Sequence, residues 1–413
     1  MTSIGIVGTG ISGLNLALTL QQAGVDTTVY AERTPDEMRA TRLPNTVARF
    51  HTTVAREHAL GVDHWAGTAA DSVSTHISIL DTPIAFAGHL AGPLSGVDFR
   101  VYLPRLLEDY AERGGHVVFG PRTPDDVVAG IDAHDLTVVA SGRDSVNAFF
   151  PRDPKRSVHS APQRIICATL CHGVAALEPT GASISIAPGI GEIFTFRFLS
   201  RHGLVTAVAF ESVPGGPLEP ITRASYDEDP AAFEALMIDL LRRYAPSVHE
   251  RVDREFAVTG SIDVLQGAIT PTVRRPYCEI SPGRFVMAVG DAYVANDPVG
   301  GQGANLGSAS AAVLAEAISQ DVAFDEWFCR DAARKMWSVA EPVTNFNNSL
   351  LVPPKPHVEA ILGAANEHQS VADAFCSNWA YPADMWRSIA TPERAAAFLA
   401  AAGAPPMPMP IAA

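Results

Sequence analysis

The sequence has few cysteines, few positive charges and no clustered histidines. Its five cysteines are odd in number and form no Cys-x-x-Cys pair, which disfavours a disulfide framework and favours reduced structural thiols in a cytoplasmic protein. Lys and Arg number 30 against 45 Asp and Glu, a formal net charge of −15, and a field of that sign repels nucleic acid and anionic membranes. The 13 histidines form no His-x-x-x-His pair, so we predict no metal site.

Long apolar runs are also missing. The most apolar stretches, such as 309–318, are short and interrupted, which excludes a membrane-spanning helix. The N-terminus lacks a basic segment followed by an apolar core, so no secretory signal is visible. The chain is nevertheless 47% hydrophobic and only 18% charged over 413 residues. That composition excludes a disordered chain and predicts two domains or one large discontinuous domain.

Glycines are concentrated at the start of the chain, between a strand and a helix. Residues 3–7 form a short apolar run, Leu14, Ala17, Leu18 and Gln21 follow at helical spacing, and 26–30 predict a second strand. This βαβ pattern is typical of a dinucleotide-binding unit, because glycines admit the pyrophosphate and the helix N-terminus presents free N–H groups to it. The residues predicted to surround the phosphates are Gly8, Gly10, Ile11, Ser12 and Gly13.

The second strand predicts the residue that binds a ribose hydroxyl. Ala31 stands where an acidic residue is expected, and Glu32 follows one position later with Arg33 beside it. We therefore assign the ribose contact to Glu32, with Arg33 adjacent.

The middle of the chain changes from parallel-sheet to antiparallel-sheet patterning. A helix over 104–114 and buried strands at 116–119 and 136–140 precede a region, 165–211, in which apolar residues alternate with a period of two. Asp229-Pro230 then opens an amphipathic helix. After residue 321 the pattern predicts several helices, and we expect the tail at 406–410 to be disordered.

A second glycine-rich segment follows another buried strand. Residues 284–289 run into Gly290-Asp291, and a further loop leads into an Ala-rich helix that extends to about residue 320. An Asp at the end of a strand can accept a hydrogen bond from a cofactor hydroxyl, and a glycine-rich helix start can donate N–H groups to an anionic ring edge. The residues of this start are Pro298, Gly301, Gln302, Gly303, Ala304 and Asn305.

With both glycine sites in place, the chain resembles the FAD-dependent monooxygenases of the aromatic hydroxylase fold, and within them the styrene and indole monooxygenases. The residues that carry the resemblance are 28–30, 33, 35–37, 42–48, 97–100, 262–267, 297–305 and 375–382. It implies an α/β fold with a Rossmann-like FAD-binding domain, an inserted antiparallel-sheet substrate domain and a helical C-terminal region. The expected boundaries are 1–165 and 265–325 for the FAD domain, 166–264 for the substrate domain and 326–413 for the C-terminal region, with a substrate-facing segment at about 45–97.

The resemblance also implies the reaction and its partners. The chain would be the epoxidase of a two-component system, taking reduced FAD from a separate NADH-dependent flavin reductase and using O₂ to form a C4a-(hydro)peroxyflavin. That species would epoxidise a small aromatic alkene or indole. Ala140-Ser141-Gly142 stands where single-component members have Ala-Asp-Gly, which favours supply of reduced flavin by a partner. We also expect a homodimer.

Further site residues are implied by the same resemblance. Arg42, Leu43 and Arg100 would contact FAD. Asn45, with Gly301 and Gln302, would act at the reacting centre. The substrate residues would be Val47, Arg49, Val73, His76 and Leu94, of which Arg49 replaces the usual His, Val73 an aromatic residue and Leu94 a Ser.

Two other classes remain open from the residues alone. One is a single-component, NAD(P)H-dependent aromatic hydroxylase. The other is a non-catalytic binding protein on the same fold, which Asp291 and the intact first glycine motif disfavour.

Overall fold

The computed structural model describes residues 2–142, 145–320 and 323–405. The tail predicted to be disordered, 406–410, lies outside the described residues. No helix within those described ranges is long and apolar enough to cross a bilayer.

Seventeen strands are found in the described residues. Their bounds are β1 Ser3–Val7, β2 Asp26–Ala31, β3 Ala48–Phe50, β4 Asp71–Ile79, β5 Ala85–Gly96, β6 His116–Phe119, β7 Leu136–Val139, β8 Ile165–Val174, β9 Gly181–Ala187, β10 Gly191–Ser200, β11 Gly203–Ser212, β12 Val252–Val258, β13 Val264–Ala268, β14 Thr272–Val273, β15 Tyr277–Ser281, β16 Arg284–Ala288 and β17 Val294–Ala295.

The same residues form fourteen α-helices. Their bounds are α1 Ile11–Gln22, α2 Pro35–Arg39, α3 His51–Ala59, α4 Phe99–Glu112, α5 Pro124–Ala129, α6 Glu219–Arg223, α7 Pro230–Tyr244, α8 Pro246–His249, α9 Gly303–Ile318, α10 Glu326–Leu350, α11 Pro356–Glu367, α12 Gln369–Ser377, α13 Pro382–Ile389 and α14 Pro392–Ala401. Short 3₁₀ turns include Gly290–Ala292 and Pro298–Gly300.

A six-stranded sheet carries the N-terminal motif. Its order is β15-β16-β7-β1-β2-β6, parallel from β16 to β6 with β15 antiparallel at the edge. Fully buried strands such as β7 suit a parallel sheet with helices on both faces. The main hydrophobic core packs this sheet against α1, α4, α9 and α10, so the helix starts that follow β1 and β16 meet at one edge.

A second, nine-stranded sheet forms the other half of the molecule. Its order is β12-β8-β11-β10-β9-β4-β5-β3, with β13 also paired to β8 and with β4 and β9 parallel. The helix α7, capped by Asp229 as its sequence predicts, covers one part of this sheet. The helices α10 to α14 cover another part. Cys167 and Cys171 lie buried in β8, and all five cysteines are free.

The helix α4 begins earlier than its sequence predicts. It starts at Phe99 rather than at Pro104, because Asp98 caps its N-terminus by accepting a hydrogen bond from the N–H of Arg100. Pro104 therefore lies inside the helix, at its sixth residue, where its missing N–H removes one hydrogen bond of the helix. The predicted start at the proline is therefore five residues late.

A buried ion pair fixes β3 against α3 and α4. The Arg49 guanidinium pairs with the Glu57 carboxylate, and both side chains are almost fully enclosed. The Tyr102 hydroxyl donates to Glu57 Oε1 at 2.6 Å, and the Arg49 guanidinium lies 4.6 Å from the centre of the Tyr102 ring. Arg49 is thus part of the core with its charge paired to Glu57, and the substrate contact expected of it from the sequence stays a prediction.

We predict that Arg49→Met destabilises the protein by about 3–5 kcal/mol, because it leaves the Glu57 carboxylate buried without its cation. The double variant Arg49→Met/Glu57→Leu removes both charges and should recover most of the loss. Urea denaturation followed by tryptophan fluorescence measures both. Equal stability of the single and double variants would contradict this account of the pair.

Candidate functional site

The N-terminus of α1 is shaped to bind an anion. A Cβ added at Gly13 would lie 2.1 Å from the Gly8 carbonyl oxygen, so only glycine lets the turn close this tightly. Gly10 is the N-cap of the helix, so no side chain at this position caps the first N–H groups. Because the first N–H groups of a helix have no intrahelical acceptor, those after Gly10 are available to a phosphate.

The N-terminus of α9 has the same open character. The turn Pro298–Gly300 leads into Gly301, which has a left-handed φ of 62°. Gln302 is the N-cap of α9, and its side chain makes no hydrogen bond to the first N–H groups of the helix. A Cβ added at Gly301 or at Gly303 would meet nothing within 4 Å. Space is therefore left beside the backbone at this helix start as well.

The two helix starts are adjacent because α1 and α9 pack closely. Ser12 lies between them, and its Oγ would be 2.3 Å from a Cβ at Gly290 and 2.4 Å from one at Gly307. Further along, the Ser308 hydroxyl donates to Asn15 Oδ1 at 2.8 Å. The side chain of Ile11 is buried at the same start. One extended ligand can therefore reach both N-termini.

The two predicted acidic contacts lie at the ends of strands of the parallel sheet. Asp291 is exposed in the turn after β16, and its Cβ would be 2.6 Å from a Cβ at Gly142, after β7. Glu32 and Arg33 follow β2, are about half exposed, and form an ion pair of 3.3 Å. Both carboxylates stand where a hydroxyl-bearing ligand can reach them.

These residues fit a dinucleotide. Two helix starts without side-chain caps lie side by side, and Gly10, Gly301 and Gly303 leave space at their backbones. Anions are stabilised at such positions by the free N–H groups and the helix dipole. The set Gly8 to Gly13, Gly290, Asp291 and Pro298 to Gly303 is thus brought together as the sequence predicts.

Three residues assigned to FAD have side chains turned elsewhere. The Arg100 guanidinium is buried and pairs with Asp98 and Asp263, at 2.6 Å in each case. Arg42 is exposed, donates to the Ser261 carbonyl and pairs with Asp227 at 2.8 Å. Leu43 lies in a small core cluster formed with β8, β10 and β11. The charge of Arg100 is thus paired with two carboxylates, and its contact with FAD stays a prediction.

The helix α9 is also joined to the segment that carries β3 and α3. Asn305 Oδ1 accepts from the Phe50 N–H at 2.9 Å and from the Thr53 hydroxyl at 2.8 Å. Its Nδ2 donates to the Ala48 and Gly301 carbonyls, at 3.1 Å each. The neighbouring Ala304 is buried in the main core. The Asn305 side chain therefore holds the site together and has no atom left over for a cofactor.

A mainly apolar cavity opens against the start of α9. It contains about 720 Å³ of empty space, part of it continuous with solvent. Mostly apolar lining with a few polar groups is typical of small-molecule sites. The lining residues are Thr46, Ala48, Phe50, Thr75, Leu90, Leu94, Ala182, Ser183, Ile184, Phe194, Phe196, Ala209, Glu211, Pro298, Gly300, Gly301 and Trp379.

Strand alternation decides which residues line this cavity. Thr46, Ala48 and Phe50 line it, whereas Val47 and Arg49 lie on the opposite side and join the main core. Successive side chains of an extended chain point to opposite faces. The predicted substrate residues Val47 and Arg49 are therefore displaced by one position from those that contact the cavity.

The same alternation applies in β4. Thr75 lines the cavity, and His76 instead lines a separate pocket with Arg251 and Ser183. Burial, and after it the charge of Arg251, lower the pKa of His76. Val73 is 44% exposed and lines neither pocket. Leu94, in β5, lines the cavity, and its contact with a substrate stays a prediction.

Trp379 is a site residue that the sequence reasoning missed. Its indole Nε1 donates to the Gly300 carbonyl at 2.8 Å, and Gln302 Nε2 donates to the Trp379 carbonyl at 2.9 Å. The ring packs edge-on against Phe346 and lines the cavity. The only sequence signal was its place in the 375–382 stretch, to which no role was assigned.

Several buried polar atoms near the start of α9 lack partners. Asn45 Oδ1, Glu211 Oε2 and Asp297 Oδ2 have no hydrogen-bond partner within the described part of the chain. Burial is the main cause that raises the pKa of Asp297 to about 6. Burial likewise raises the pKa of Glu211 well above its usual range, and the charges of Asp297 and Glu192 add to the effect. Buried polar atoms of this kind are stabilised by a ligand that completes their hydrogen bonds.

Solved structures of flavoenzymes share the fold. The p-nitrophenol 4-monooxygenase PnpA of Pseudomonas putida DLL-E4 superposes with a TM-score of 0.64 at 15% identity, over 93% of this chain and 99% of that one. A flavoprotein/dehydrogenase of Cytophaga hutchinsonii gives a TM-score of 0.65 at 14% identity, over 92% of both chains. These likenesses show the fold, and the predicted fold class is confirmed.

The particular family follows from sequence comparison. The chain is 36% identical to the styrene monooxygenase StyA of Pseudomonas fluorescens over 397 residues, which cover 95% of this chain and 96% of that protein. Residues 142–251 match the family model described as the styrene monooxygenase A putative substrate binding domain. The chain therefore belongs to the styrene monooxygenase family. The family predicted from the sequence is confirmed, and the predicted cofactor, FAD, agrees with it.

We predict that Gly10→Ala and Gly13→Ala fail in different ways. The Gly10 backbone has a φ of −70°, and an added Cβ would find its nearest neighbour at 3.9 Å. Gly10→Ala should therefore fold with an unchanged melting temperature but bind FAD at least roughly tenfold more weakly, because the methyl group occupies phosphate space. Gly13→Ala should lower the melting temperature itself. Thermal unfolding and titration of FAD fluorescence separate the two, and normal FAD affinity in Gly10→Ala would contradict the phosphate assignment.

We predict that Asp297 makes the protein lose stability as the pH rises from about 4 to about 7. In the folded state the Asp297 carboxyl keeps its proton up to a pKa of about 6, whereas in the unfolded state it releases the proton near the usual Asp value of 3.8. A rise in pH between these two values therefore favours the unfolded state. The effect is on the order of 1–3 kcal/mol. Asp297→Asn keeps the Oδ1 that accepts from the Val299 N–H and should lose less stability over this range. Urea unfolding at pH 4.5 and pH 7.5 measures this change. An equal change in the free energy of unfolding for the two proteins would contradict the assignment.

Proposed function

We propose that this chain is the epoxidase of a two-component monooxygenase. It takes reduced FAD from a separate NADH-dependent flavin reductase and, with O₂, converts a styrene-type alkene or indole to its epoxide. The cytoplasmic location and the homodimer expected from the sequence remain predictions within this proposal. The observation that carries it is the apolar cavity whose lining includes Pro298, Gly300 and Gly301, at the start of α9.

The start of α9 is the part of the chain that would hold the flavin ring. Pro298 and Gly301 would face the ring, and the N–H groups that follow Gly301 would stabilise negative charge on its reduced form. The Gln302 side chain, bound to the Trp379 carbonyl, keeps this backbone in place. When bound, reduced FAD would activate O₂, of which one atom is transferred to the substrate and the other leaves as water.

The cavity would bind and orient the substrate. Phe50, Phe194, Phe196 and Trp379 provide aromatic walls for a planar hydrocarbon ring. These walls also exclude water, which limits loss of the activated oxygen as hydrogen peroxide. An alkene is itself the electron-rich partner, so the chain does not have to supply a base to activate it.

Asn45 is proposed as a polar group near the reacting centre. Its Oδ1 is buried without a partner within the described residues, in the segment that leads into Thr46. An amide placed there can orient a bound ligand through one hydrogen bond. The exposed Arg42 stays a proposed FAD contact, because its bonds to Ser261 and Asp227 are at the surface and can be exchanged.

Supplying the pure chain with chemically reduced FAD, air and styrene tests the proposal. We expect styrene oxide without any reductase, and blue pigment when indole replaces styrene. NADPH alone should not be consumed by the pure chain. Gly10→Ala, which should fold but bind FAD at least roughly tenfold more weakly, is the matched control when FAD is limiting.

Two results would contradict this proposal, and each would favour a different function. Consumption of NADPH by the pure chain, with a hydroxylated product, would select the single-component aromatic hydroxylase. A folded chain that takes up no FAD would select the non-catalytic binding protein.

A further inference from the structure

Glu211 is the one ionisable side chain among the described residues that line the cavity. It lies in β11, directly opposite Glu192 of β10, and it is 5% exposed. Its Oε2 atom has no hydrogen-bond partner within the described ranges. A carboxyl oxygen is thus left uncompensated in a wall that is otherwise mainly apolar.

The nearest cation is already committed to another group. Arg164 binds Glu192 through two hydrogen bonds, from Nε to Oε2 at 2.7 Å and from Nη2 to Oε1 at 2.8 Å. Burial raises the pKa of Glu211. Three charged groups also act on this pKa: Asp297 and Glu192 raise it, and Arg164 lowers it. Whether neutral or charged, this carboxyl keeps an oxygen that can accept a hydrogen bond.

A buried acceptor without a donor is costly, and the cost disappears when a ligand supplies the donor. The aromatic walls of the cavity select a flat ring, and within that class a ring carrying an N–H would satisfy Glu211. A hydrocarbon ring of the same shape would leave the carboxyl oxygen unpaired. Sites built to bond a substrate N–H discriminate strongly against analogues that lack it.

We propose that Glu211 is a specificity-determining residue that accepts a hydrogen bond from a ring N–H, so that the cavity favours indole-type substrates over all-carbon alkenes of the same shape. This inference rests on the proposed function only for the class of substrate. The carboxyl acts in binding, and no proton transfer is assigned to it.

Indole and indene test the inference, because they have nearly the same shape and differ in the N–H group. Their dissociation constants are measured by calorimetry on the protein loaded with oxidised FAD, in which no turnover occurs. The wild-type protein should bind indole roughly tenfold or more tightly than indene, the factor expected from satisfying one buried acceptor. Glu211→Leu should abolish this ratio by weakening indole and strengthening indene binding. Glu211→Gln, which keeps an acceptor oxygen, should preserve it.

Each outcome decides the matter. Equal affinities in the wild-type protein, a ratio unchanged in Glu211→Leu, or binding of neither compound would overturn the inference. The styrene assay with reduced FAD tests the proposed function separately. Styrene oxide together with a ratio unchanged in Glu211→Leu would sink the Glu211 inference alone. A ratio that depends on Glu211 without any epoxide would sink the proposed reaction alone.

Discussion

The close packing of α1 on α9 is the constraint on which the cofactor site depends. Ser12 fills the contact, and glycines at 290 and 307 leave it room. A Cβ at Gly307 of α9, or at Gly290 in the turn after β16, would collide with the Ser12 hydroxyl of α1. Because each N-terminus offers only a few free N–H groups, one long ligand gains from both only when they lie side by side. The small residues between the helices therefore serve binding as much as packing.

The backbone features of the site are easier to predict from the sequence than its side-chain contacts. The first glycine motif, the turn at Gly290-Asp291 and the start of α9 are local patterns whose geometry follows from glycine, proline and helix periodicity. The ion pairs of Arg49 and Arg100 could not be predicted in the same way, because an arginine near a site can also pair with a buried carboxylate. Tertiary folding brings Asp263 to Arg100 and packs Glu57 against Arg49.

The substrate cavity was harder to predict because it combines short pieces of distant segments. An error of one residue inverts the face of an extended chain, as the exchange of Val47 and Arg49 for Thr46 and Ala48 shows. Glu211 and Trp379 carried no motif of their own. Their roles arise only when β11 and the C-terminal helices meet the start of α9.

Trp379 ties the end of the chain to its chemistry. Its indole donates a hydrogen bond to Gly300, and its carbonyl accepts one from Gln302. These three residues lie about 300 residues or more after the glycine motif at the N-terminus. A nascent chain emerging from the ribosome thus lacks a finished flavin pocket until its last helices have been made. A chain cut short before residue 379 would lack both hydrogen bonds that hold Gly300 and Gln302, and the indole ring that closes this side of the cavity.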